Sequence, residues 1–334
     1  MKIIVPMAGI GRRLRPHTLT IPKPLIPIAG KPIVQRMIEE IIKVSSNKID
    51  EIAFIIGDFG KEVEDSLKNI SKSLGAVPKI YYQDEPLGTA HAIYCAEGSL
   101  NGKIIVAFAD TLFKANFTLD ENADSIVWVQ KVGNPESFGV VKTDKNNIIT
   151  DFVEKPKQFV SDLAIIGIYY FREGEMLKEE LKYLLDNKIM GNNEYQLTDA
   201  LENMKNKGIL LKTDKVDEWL DCGNKNAMVY TNQRILEHID KDKLVSGSAK
   251  IINSVIISPC YIGDNAVIEN SVLGPHLSVG YNTIIKNSII KNSIIQRNSK
   301  IEGLTIENSM VGSYVDIKGD ISEVNIGDYT SMTK

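Results

Sequence analysis

The sequence has few cysteines, no strong excess of charge and no long apolar segment. Its three cysteines, Cys95, Cys222 and Cys260, lie far apart and form no Cys-x-x-Cys pair. A disulfide framework or a structural zinc site is therefore not expected, and the reducing cytoplasm is the expected location. The formal net charge of −4 argues against nucleic acid as the main partner, because such proteins usually carry a basic surface.

Membrane insertion is also not expected. No apolar run approaches the ~20 residues that a membrane-spanning helix needs, and the apolar start at residues 1–5 is too short for a signal-peptide core. The chain has 334 residues, of which 43% are hydrophobic and 25% charged, a composition typical of folded globular proteins. This length predicts two domains, since a domain usually takes roughly 100–200 residues.

Residues 1–243 alternate strand-like and helix-like segments. Up to residue 109 the order is strand, helix, strand, helix, strand, helix, strand, which favours a mostly parallel sheet with helices on both faces. From residue 124 strands predominate, so the sheet is expected to be mixed, with an antiparallel part. Helices are expected again at 174–186, 194–206 and 224–239. We interpret residues 1–243 as a catalytic domain of the Rossmann-like α/β class.

Residues 244–334 have a different, repetitive pattern. Asn-Ser followed by two apolar residues recurs, and apolar residues recur six positions apart, in the sets Ile256, Ile262, Ile268 and Leu273, Val279, Ile285. A hexapeptide repeat with these aliphatic residues turned inward predicts a parallel β-helix; an ordinary antiparallel sandwich is the alternative. Because every chemical motif lies upstream, a chain ending at residue 243 is expected to lose stability or oligomerisation before chemistry.

A glycine- and arginine-rich loop follows the first predicted strand. It contains Gly9, Gly11 and the cations Arg12, Arg13, Arg15 and Lys23. Glycines allow backbone N–H groups to approach phosphate oxygens, and cations beyond the carboxyl end of a parallel strand suggest a polyphosphate site. The alternative is a solvated basic loop. A dinucleotide-binding fingerprint is excluded because Leu14 replaces the third glycine, and a P-loop motif is absent.

Residues 9–18 read Gly-x-Gly-x-Arg-Leu-x-Pro-x-Thr, and residues 22–27 read Pro-Lys-Pro-Leu-x-Pro. Together they resemble the signature of the sugar-1-phosphate nucleotidylyltransferases, or nucleotide-sugar pyrophosphorylases. The resemblance covers about residues 1–240 and is strongest to glucose-1-phosphate thymidylyltransferase-like members with a C-terminal left-handed β-helix. It implies transfer of a nucleoside monophosphate from an NTP to a sugar 1-phosphate, with release of pyrophosphate.

The resemblance implies roles for the loop residues. Arg13 and Lys23 would bind the triphosphate and stabilise charge in the transition state as catalytic residues. Ala8, where many members have glycine, and Arg12, where many have threonine, depart from the family pattern. The expected nucleotide-binding set is Ala8, Gly9, Gly11, Arg12, Arg13, Lys23, Gln83, Pro86, Gly88 and Thr89.

Residues 83–92 match the family's base-reading segment. The Gln83 side chain can both donate to and accept from the Watson–Crick edge of a pyrimidine, and Gly88 would let the backbone approach the base. A strand-to-helix turn with a capping residue is the alternative for this segment. Taken alone, His91 is interpreted as a surface or packed histidine and not as a catalyst.

Two acidic residues are expected to hold Mg²⁺. Asp110 follows a strongly apolar strand, where a carboxylate is well placed for a metal ion. Residues 219–223 match the family's Trp-x-Asp-x-Gly, and the resemblance implies that Asp221 shares the ion with Asp110. Each aspartate alone would more often be a turn or helix cap.

The expected sugar-phosphate site comes from the later half of the first domain. The resemblance implies that Lys155 binds the phosphate as a catalytic residue and that Glu154 accepts hydrogen bonds from sugar hydroxyls, while Gly139 and Gly167 line the pocket. An exposed charged turn is the alternative reading of residues 154–156.

Several functional alternatives stay open. dTTP or UTP and glucose 1-phosphate are the favoured substrates, with GlcNAc 1-phosphate and mannose 1-phosphate left open as acceptors. A guanylyltransferase acting on mannose 1-phosphate is the alternative activity. A catalytically silent nucleotide-sugar-binding relative is also considered, as is acyl transfer by the tail, whose only histidine is His276. No nucleic acid or membrane partner is expected; a homo-oligomer, formed through the β-helix, is.

Overall fold

The computed structural model describes residues 1–191, 193–319 and 324–332. The chain forms two compact units, each of which is discontinuous in sequence. Unit 1 contains residues 1–9 and 35–219, and unit 2 contains residues 10–34 and 220–334. The division into a catalytic domain (1–243) and a β-helix domain (244–334) follows chain order and stays a prediction.

The regular elements of the first part of the chain are short and numerous. The helices are α1 (Ile33–Val44), α2 (Lys61–Ser73), α3 (Thr89–Tyr94), α4 (Gly174–Asp186), α5 (Leu197–Asn206) and α6 (Lys225–Glu237). The strands up to residue 221 are β1 (Lys2–Pro6), β2 (Pro27–Ile28), β3 (Lys31–Pro32), β4 (Glu51–Ile56), β5 (Val77–Tyr82), β6 (Ile104–Ala107), β7 (Thr111–Lys114), β8 (Ser125–Lys131), β9 (Gly139–Thr143), β10 (Ile149–Glu154), β11 (Leu163–Phe171), β12 (Leu211–Lys215) and β13 (Glu218–Asp221).

Unit 1 is built on a mixed sheet. Strands β5, β4, β1 and β6 lie side by side and are parallel. The side chains of β4, β1 and β6 are almost wholly apolar and buried, as in strands covered on both faces, whereas those of the edge strand β5 are exposed or half-buried. β11 then runs antiparallel to β6 and to β9, and β10 pairs antiparallel with β9. The predicted mixed α/β sheet is confirmed.

One strand of this mixed sheet, β12, was not expected from the sequence. β12 pairs in parallel with β8, which itself pairs antiparallel with β11. Its five residues, Leu-Lys-Thr-Asp-Lys, include only one apolar side chain, so the sequence carries no strand periodicity there. The core of unit 1 lies between this sheet and helices α3, α4 and α5, with members such as Leu177, Leu181 and Leu201.

The β-helix of unit 2 is made of short parallel strands in three sheets. The strands are β14 (Lys250–Ile252), β15 (Val255–Ile256), β16 (Cys260–Ile262), β17 (Val267–Glu269), β18 (Val272–Leu273), β19 (Leu277–Val279), β20 (Ile284–Lys286), β21 (Ile289–Lys291), β22 (Ile294–Ile295), β23 (Lys300–Glu302), β24 (Thr305–Glu307), β25 (Met310–Val311), β26 (Asp316–Lys318), β27 (Asn325–Ile326) and β28 (Ser331–Met332). Up to β26, strands three apart in chain order pair in parallel, and β27 and β28 pair in parallel with β25 and β26. This arrangement is the predicted left-handed β-helix. Of the expected inward residues, Ile262, Ile268, Leu273, Val279 and Ile285 are buried, and Ile256, in the first coil, is partly buried.

The Asn-Ser repeat has a physical explanation in the coils. Asparagines such as Asn253 and Asn270 adopt positive φ at the corners, a conformation that asparagine tolerates better than most residues. Their amides join successive coils, with Asn253 Nδ2 2.7 Å from Asn270 Oδ1. The following serines form a second ladder, in which Ser254 Oγ accepts from the Ser271 N–H at 3.0 Å. The repeat thus encodes corners and their links.

Candidate active site

Asp110 lies just beyond the carboxyl end of β6, as the sequence predicts. The preceding residue pair is fixed by β11, because the Phe108 N–H donates to the Gly167 carbonyl oxygen at 3.0 Å. The rings of Phe108 and Tyr169 meet edge to face, 6.3 Å apart. Burial raises the pKa of the Tyr169 phenol, and the negative charges of Glu154 and Asp110 raise it further. Tyr169 therefore stays protonated between these two predicted site carboxylates.

The predicted sugar-phosphate residues lie on neighbouring strands. Gly139 in β9 is paired with Glu154 in β10, and a Cβ added to Gly139 would lie only 2.8 Å from Glu154 Oε2. Lys155 Nζ lies 3.6 Å from Glu154 Oε1. The glycine therefore leaves room for the Glu154 carboxylate over the strand, with the lysine ammonium beside it.

Lys155 has an unusual backbone conformation. Its φ is +43°, in the left-handed region that lysine rarely adopts, while its N–H donates to the Phe138 carbonyl oxygen at 3.1 Å. Such conformations cost about 1–3 kcal/mol and cluster at functional sites. The strained backbone of Lys155 therefore favours a functional role for residues 154–156 over the alternative of an ordinary exposed charged turn.

Gly167 lies at an irregularity of β11. The register of β11 with β8 shifts between Ile165 and Tyr169, and Gly167 adopts a φ of +82° inside this interval. The shift allows one strand to place Gly167 against Phe108 and Tyr169 near the two carboxylates. Within unit 1 the structure thus groups Asp110, Gly139, Glu154, Lys155 and Gly167.

The base-reading segment is organised by hydrogen bonds that the sequence does not reveal. Gln83 Nε2 lies 3.2 Å from His91 Nδ1 and 3.3 Å from the Gly88 carbonyl oxygen. Both contacts use the nitrogen of the Gln83 amide, which therefore donates to the protein. Pro86 is exposed on the same segment.

Gly88 and Thr89 have structural tasks as well. Gly88 has a φ of +116°, and a Cβ there would lie 2.5 Å from the Tyr195 carbonyl oxygen, so no larger residue fits. Thr89 Oγ1 accepts from the Leu197 N–H at 2.9 Å, at the start of α5. The Thr89 hydroxyl is thus engaged by the chain itself, and nucleotide contact by Thr89 stays a prediction.

An aromatic pair was missed by sequence reasoning. The Trp219 indole N–H donates to Thr111 Oγ1, next to Asp110, and the Trp219 ring lies 4.8 Å from that of Phe138. The sequence pattern indicates Trp219 only as the first residue of the Trp-x-Asp-x-Gly motif. Its place two residues before Asp221 was the available signal for a structural role near the site.

In unit 2 the signature loop forms its first 3₁₀ turn at Arg12–Leu14. Gly11 precedes the turn with a φ of +65°, Leu14 anchors it in the interior, and Arg12 and Arg13 are exposed. Thr18 Oγ1 donates to the Gly11 carbonyl oxygen at 2.9 Å. The turn therefore carries two exposed arginines on a backbone that Leu14 and Thr18 hold in place.

Lys23 lies beside this turn. It begins the third 3₁₀ turn of the loop, Lys23–Leu25, and its Cβ is 3.2 Å from the position that a Cβ on Gly11 would occupy. The two parts of the signature, separated by residues 19–21, are thus adjacent in unit 2. Ala8 and Gly9 belong to unit 1, where they directly follow β1.

Asp221 and Arg13 converge on Gly223. A Cβ added to Gly223 would lie 3.0 Å from Arg13 Nη2 and 3.0 Å from each Asp221 carboxylate oxygen. Thr231 of α6, which is fully buried, donates to the Asp221 carbonyl oxygen at 2.8 Å, and Asn224 caps the helix through the Ala227 N–H. A carboxylate and a predicted phosphate-binding arginine thus share one corner of unit 2.

The carboxylates of the described residues are the candidate ligands for a metal ion. Across residues 1–191, 193–319 and 324–332, no three His, Cys, Asp or Glu side chains gather closely enough to hold an ion by themselves. Mg²⁺ is usually bound by one or two carboxylates plus waters and substrate phosphates. The carboxylate oxygens of Asp110 in unit 1 and of Asp221 in unit 2 are donors of the kind that Mg²⁺ takes, and a metal role for either residue stays a prediction.

None of the helices in the described part of the chain combines the length and the apolar character that crossing a bilayer requires.

Comparisons with known proteins identify the family of the chain. The family model described as nucleotidyl transferase matches residues 2–238. "Bifunctional protein GlmU" of Methanococcus maripaludis is 32% identical, over 94% of this chain and 78% of its own length. A glucose-1-phosphate thymidylyltransferase of Streptomyces antibioticus is 28% identical over 99% of both chains. The crystal structure of a UDP-glucose pyrophosphorylase with UDP-glucose has a TM-score of 0.59 at 26% identity, and the match covers 71% of this chain and 99% of its own. The chain belongs to the sugar-1-phosphate nucleotidyltransferase family.

Proposed function

We propose that this nucleotidyltransferase transfers the nucleoside monophosphate of dTTP or UTP to glucose 1-phosphate. The observation that most supports this base preference is the orientation of the Gln83 amide. Because its nitrogen is engaged by His91 Nδ1 and the Gly88 carbonyl oxygen, the carbonyl oxygen is the part offered to a base. It would accept the N3–H of uracil or thymine, whereas cytosine and adenine present a bare ring nitrogen at the matching position.

The named relatives support the same substrates. A glucose-1-phosphate thymidylyltransferase and a UDP-glucose pyrophosphorylase are among the proteins to which the chain is similar. Uracil and thymine differ by one methyl group, worth about 1 kcal/mol in a pocket. Guanine also carries a ring N–H, so a guanylyltransferase acting on mannose 1-phosphate is the alternative that the test must separate.

The proposed reaction is an in-line displacement at the α-phosphorus. A phosphate oxygen of the sugar 1-phosphate forms a bond to this phosphorus, while its bond to the pyrophosphate oxygen breaks and the electron pair leaves with pyrophosphate. Arg13 and Lys23 would stabilise the charge on the departing pyrophosphate. Lys155 would hold the attacking phosphate, and the carboxylate of Glu154 would accept hydrogen bonds from sugar hydroxyls.

The Mg²⁺ proposal concerns Asp110 and Asp221. These two carboxylates would hold the ion, which when bound neutralises charge on the triphosphate. The remaining nucleotide contacts are proposed for Ala8, Gly9, Gly11, Arg12, Pro86 and Thr89, and pocket-lining backbone for Gly139 and Gly167.

The experiment is a matrix of dTTP, UTP, CTP, GTP and ATP against glucose, GlcNAc, galactose and mannose 1-phosphates, with pyrophosphate release as the readout. We expect dTTP or UTP with glucose 1-phosphate to give the highest kcat/KM. A maximum for GTP with mannose 1-phosphate would establish the alternative specificity. Nucleotide-sugar binding without pyrophosphate release from any pair would identify a catalytically silent relative.

The tail is proposed to support assembly and not acyl transfer. His276 Nε2 lies 3.1 Å from Glu237 Oε1, and His276 occupies a positive-φ corner like those of the asparagine ladders. These contacts tie α6 to the coils and give His276 a structural task. A homo-oligomer formed through the β-helix and a cytoplasmic location, compatible with the three free cysteines, complete the proposal.

A further inference from the structure

The last described coil of the β-helix contacts the signature loop inside unit 2. His17 Nε2 lies 2.7 Å from Asn325 Oδ1, although the two residues are 308 positions apart. His17 is only 4% exposed. Burial lowers the pKa of His17, although the Asn325 hydrogen bond and the Asp328 charge partly oppose this effect. A neutral imidazole therefore donates its Nε2 proton to the asparagine oxygen.

Two further contacts accompany this hydrogen bond. Thr20 donates its hydroxyl to the Asp328 carboxylate, which also accepts from the Ser313 N–H of the preceding coil. A Cβ added to Gly327 would lie 3.0 Å from Pro16 Cβ. The loop is thus held by polar contacts on both sides of a close backbone approach.

The same sheet of the β-helix touches the loop at two other levels. Gln296, directly after β22, donates to the Pro27 carbonyl oxygen at 3.2 Å. The ring of Tyr261 in β16 packs on Gly30, where an added Cβ would lie only 2.2 Å from Tyr261 Cζ. Strands β16, β22 and β27 belong to one sheet, so residues 16–30 lie along several coils and not on one.

From His17 the contacts lead directly to the predicted phosphate-binding residues. His17 and Thr18 share one 3₁₀ turn, and Thr18 is bonded to the Gly11 carbonyl oxygen. Gly11 begins the turn that carries Arg12 and Arg13, and Lys23 packs against Gly11. One short path of contacts therefore joins Asn325 to the cations of the loop.

We propose that the C-terminal coils position the phosphate-binding loop, with His17 and Asn325 as positioning residues for Arg13 and Lys23. This proposal rests on the nucleotide-binding role proposed for the loop. It assigns the β-helix a task in turnover, which argues against the expectation that a chain ending at residue 243 keeps its chemistry.

The test uses full-length variants. Asn325→Ala and His17→Phe remove the hydrogen bond, His17→Gln keeps a side-chain N–H donor, and Gly327→Ala presses on Pro16 while leaving the bond in place. Asn298→Gly is the matched control, because Asn298 belongs to an exposed corner ladder with φ +57° and glycine fits that conformation. Thermal unfolding identifies variants that are globally destabilised.

The first readout is kinetic. Couplings of this kind change a function by about 3- to 30-fold, so we expect Asn325→Ala and His17→Phe to lower kcat/KM for the NTP by that amount. His17→Gln should restore most of it, and Asn298→Gly should match the wild type. Unchanged NTP kinetics in both Asn325→Ala and His17→Phe would overturn the proposal.

The second readout is independent of activity. Trypsin cleaves after Arg12 and Arg13 at a rate set by local opening of the loop. We expect faster cleavage there in Asn325→Ala and Gly327→Ala than in Asn298→Gly, at a temperature where all remain folded. Equal cleavage rates would overturn the proposal even if the wild type showed no transferase activity, whereas inactivity of the wild type with altered cleavage would count against the proposed function alone.

Discussion

The two units hold their candidate site residues in different ways. In unit 1, neighbouring strands of one sheet place Gly139 and Glu154 opposite each other and Gly167 against the segment that leads to Asp110. In unit 2, a loop without long regular structure carries Arg12 and Arg13, and side chains of distant coils support it. Backbone ladders can therefore position a site from local pattern, while a loop depends on long-range contacts.

The largest expected effect tests the support in unit 2. Ile285→Ala deletes a fully buried side chain from the β-helix core, which should lower the free energy of unfolding by about 2–5 kcal/mol. The control is Ile289→Ala in β21, where the side chain is 53% exposed. This change should alter the free energy of unfolding by less than about 0.5 kcal/mol. Urea unfolding measures both. Equal costs would contradict the inward orientation of Ile285.

The second prediction tests the sheet-held site of unit 1. Asp110→Asn should preserve the fold, because Asp110 lies beyond the end of β6, and should lower kcat by about 100- to 1000-fold through loss of transition-state charge stabilisation. Steady-state kinetics at saturating Mg²⁺ measure the effect. The control Asp144→Asn changes an exposed turn carboxylate. Wild-type turnover in Asp110→Asn would exclude the proposed metal role.

The third prediction sets the two units against each other. Arg13→Ala should mainly lower kcat, since charge grows on the leaving pyrophosphate only as its bond breaks. Lys155→Ala should also raise KM for the sugar phosphate, because that contact exists in the ground state. Each loss should cost ~1.5–3 kcal/mol, or roughly 10- to 100-fold. Weaker NTP binding with an unchanged sugar-phosphate KM in Lys155→Ala would reverse the assignment.

The smallest expected effect concerns base selection. His91→Leu removes the acceptor that engages Gln83 Nε2, so the amide can rotate and the preference for UTP over CTP should fall by about 2- to 10-fold, the worth of one hydrogen bond. His91→Asn, which retains a side-chain acceptor, is the matched variant. An unchanged UTP-to-CTP ratio of kcat/KM in His91→Leu would remove the specificity role while leaving a packing role.

The difference between the units also explains what the sequence could predict. The apolar runs of β1, β4 and β6 and the Asn-Ser repeat follow from local periodicity, so the mixed sheet and the β-helix are both predicted correctly. The loop signature and the strand-end Asp110 are likewise visible in local pattern. Contacts between segments far apart in sequence are not, because nothing near His17 indicates Asn325, and nothing near Gly88 indicates Tyr195.

Hydrogen bonds made by individual side chains were also not predictable from the sequence. Thr89 matches a family segment, yet its hydroxyl accepts from Leu197, and Trp219 bonds to Thr111. In each case the residue type permits both a ligand contact and a protein contact. Which of them forms depends on the partner that the fold brings near, and a linear pattern carries no information on that partner.

The 308-residue separation of His17 and Asn325 has a consequence for protein synthesis. At translation rates of ~5–20 residues per second, the loop waits roughly 15–60 s for its partner after it has itself been made. During that time the nascent chain can complete β1, β4 and β6 but not the hydrogen bond to His17. Incomplete translation products would therefore carry every arginine and lysine of the signature without the support that fixes them.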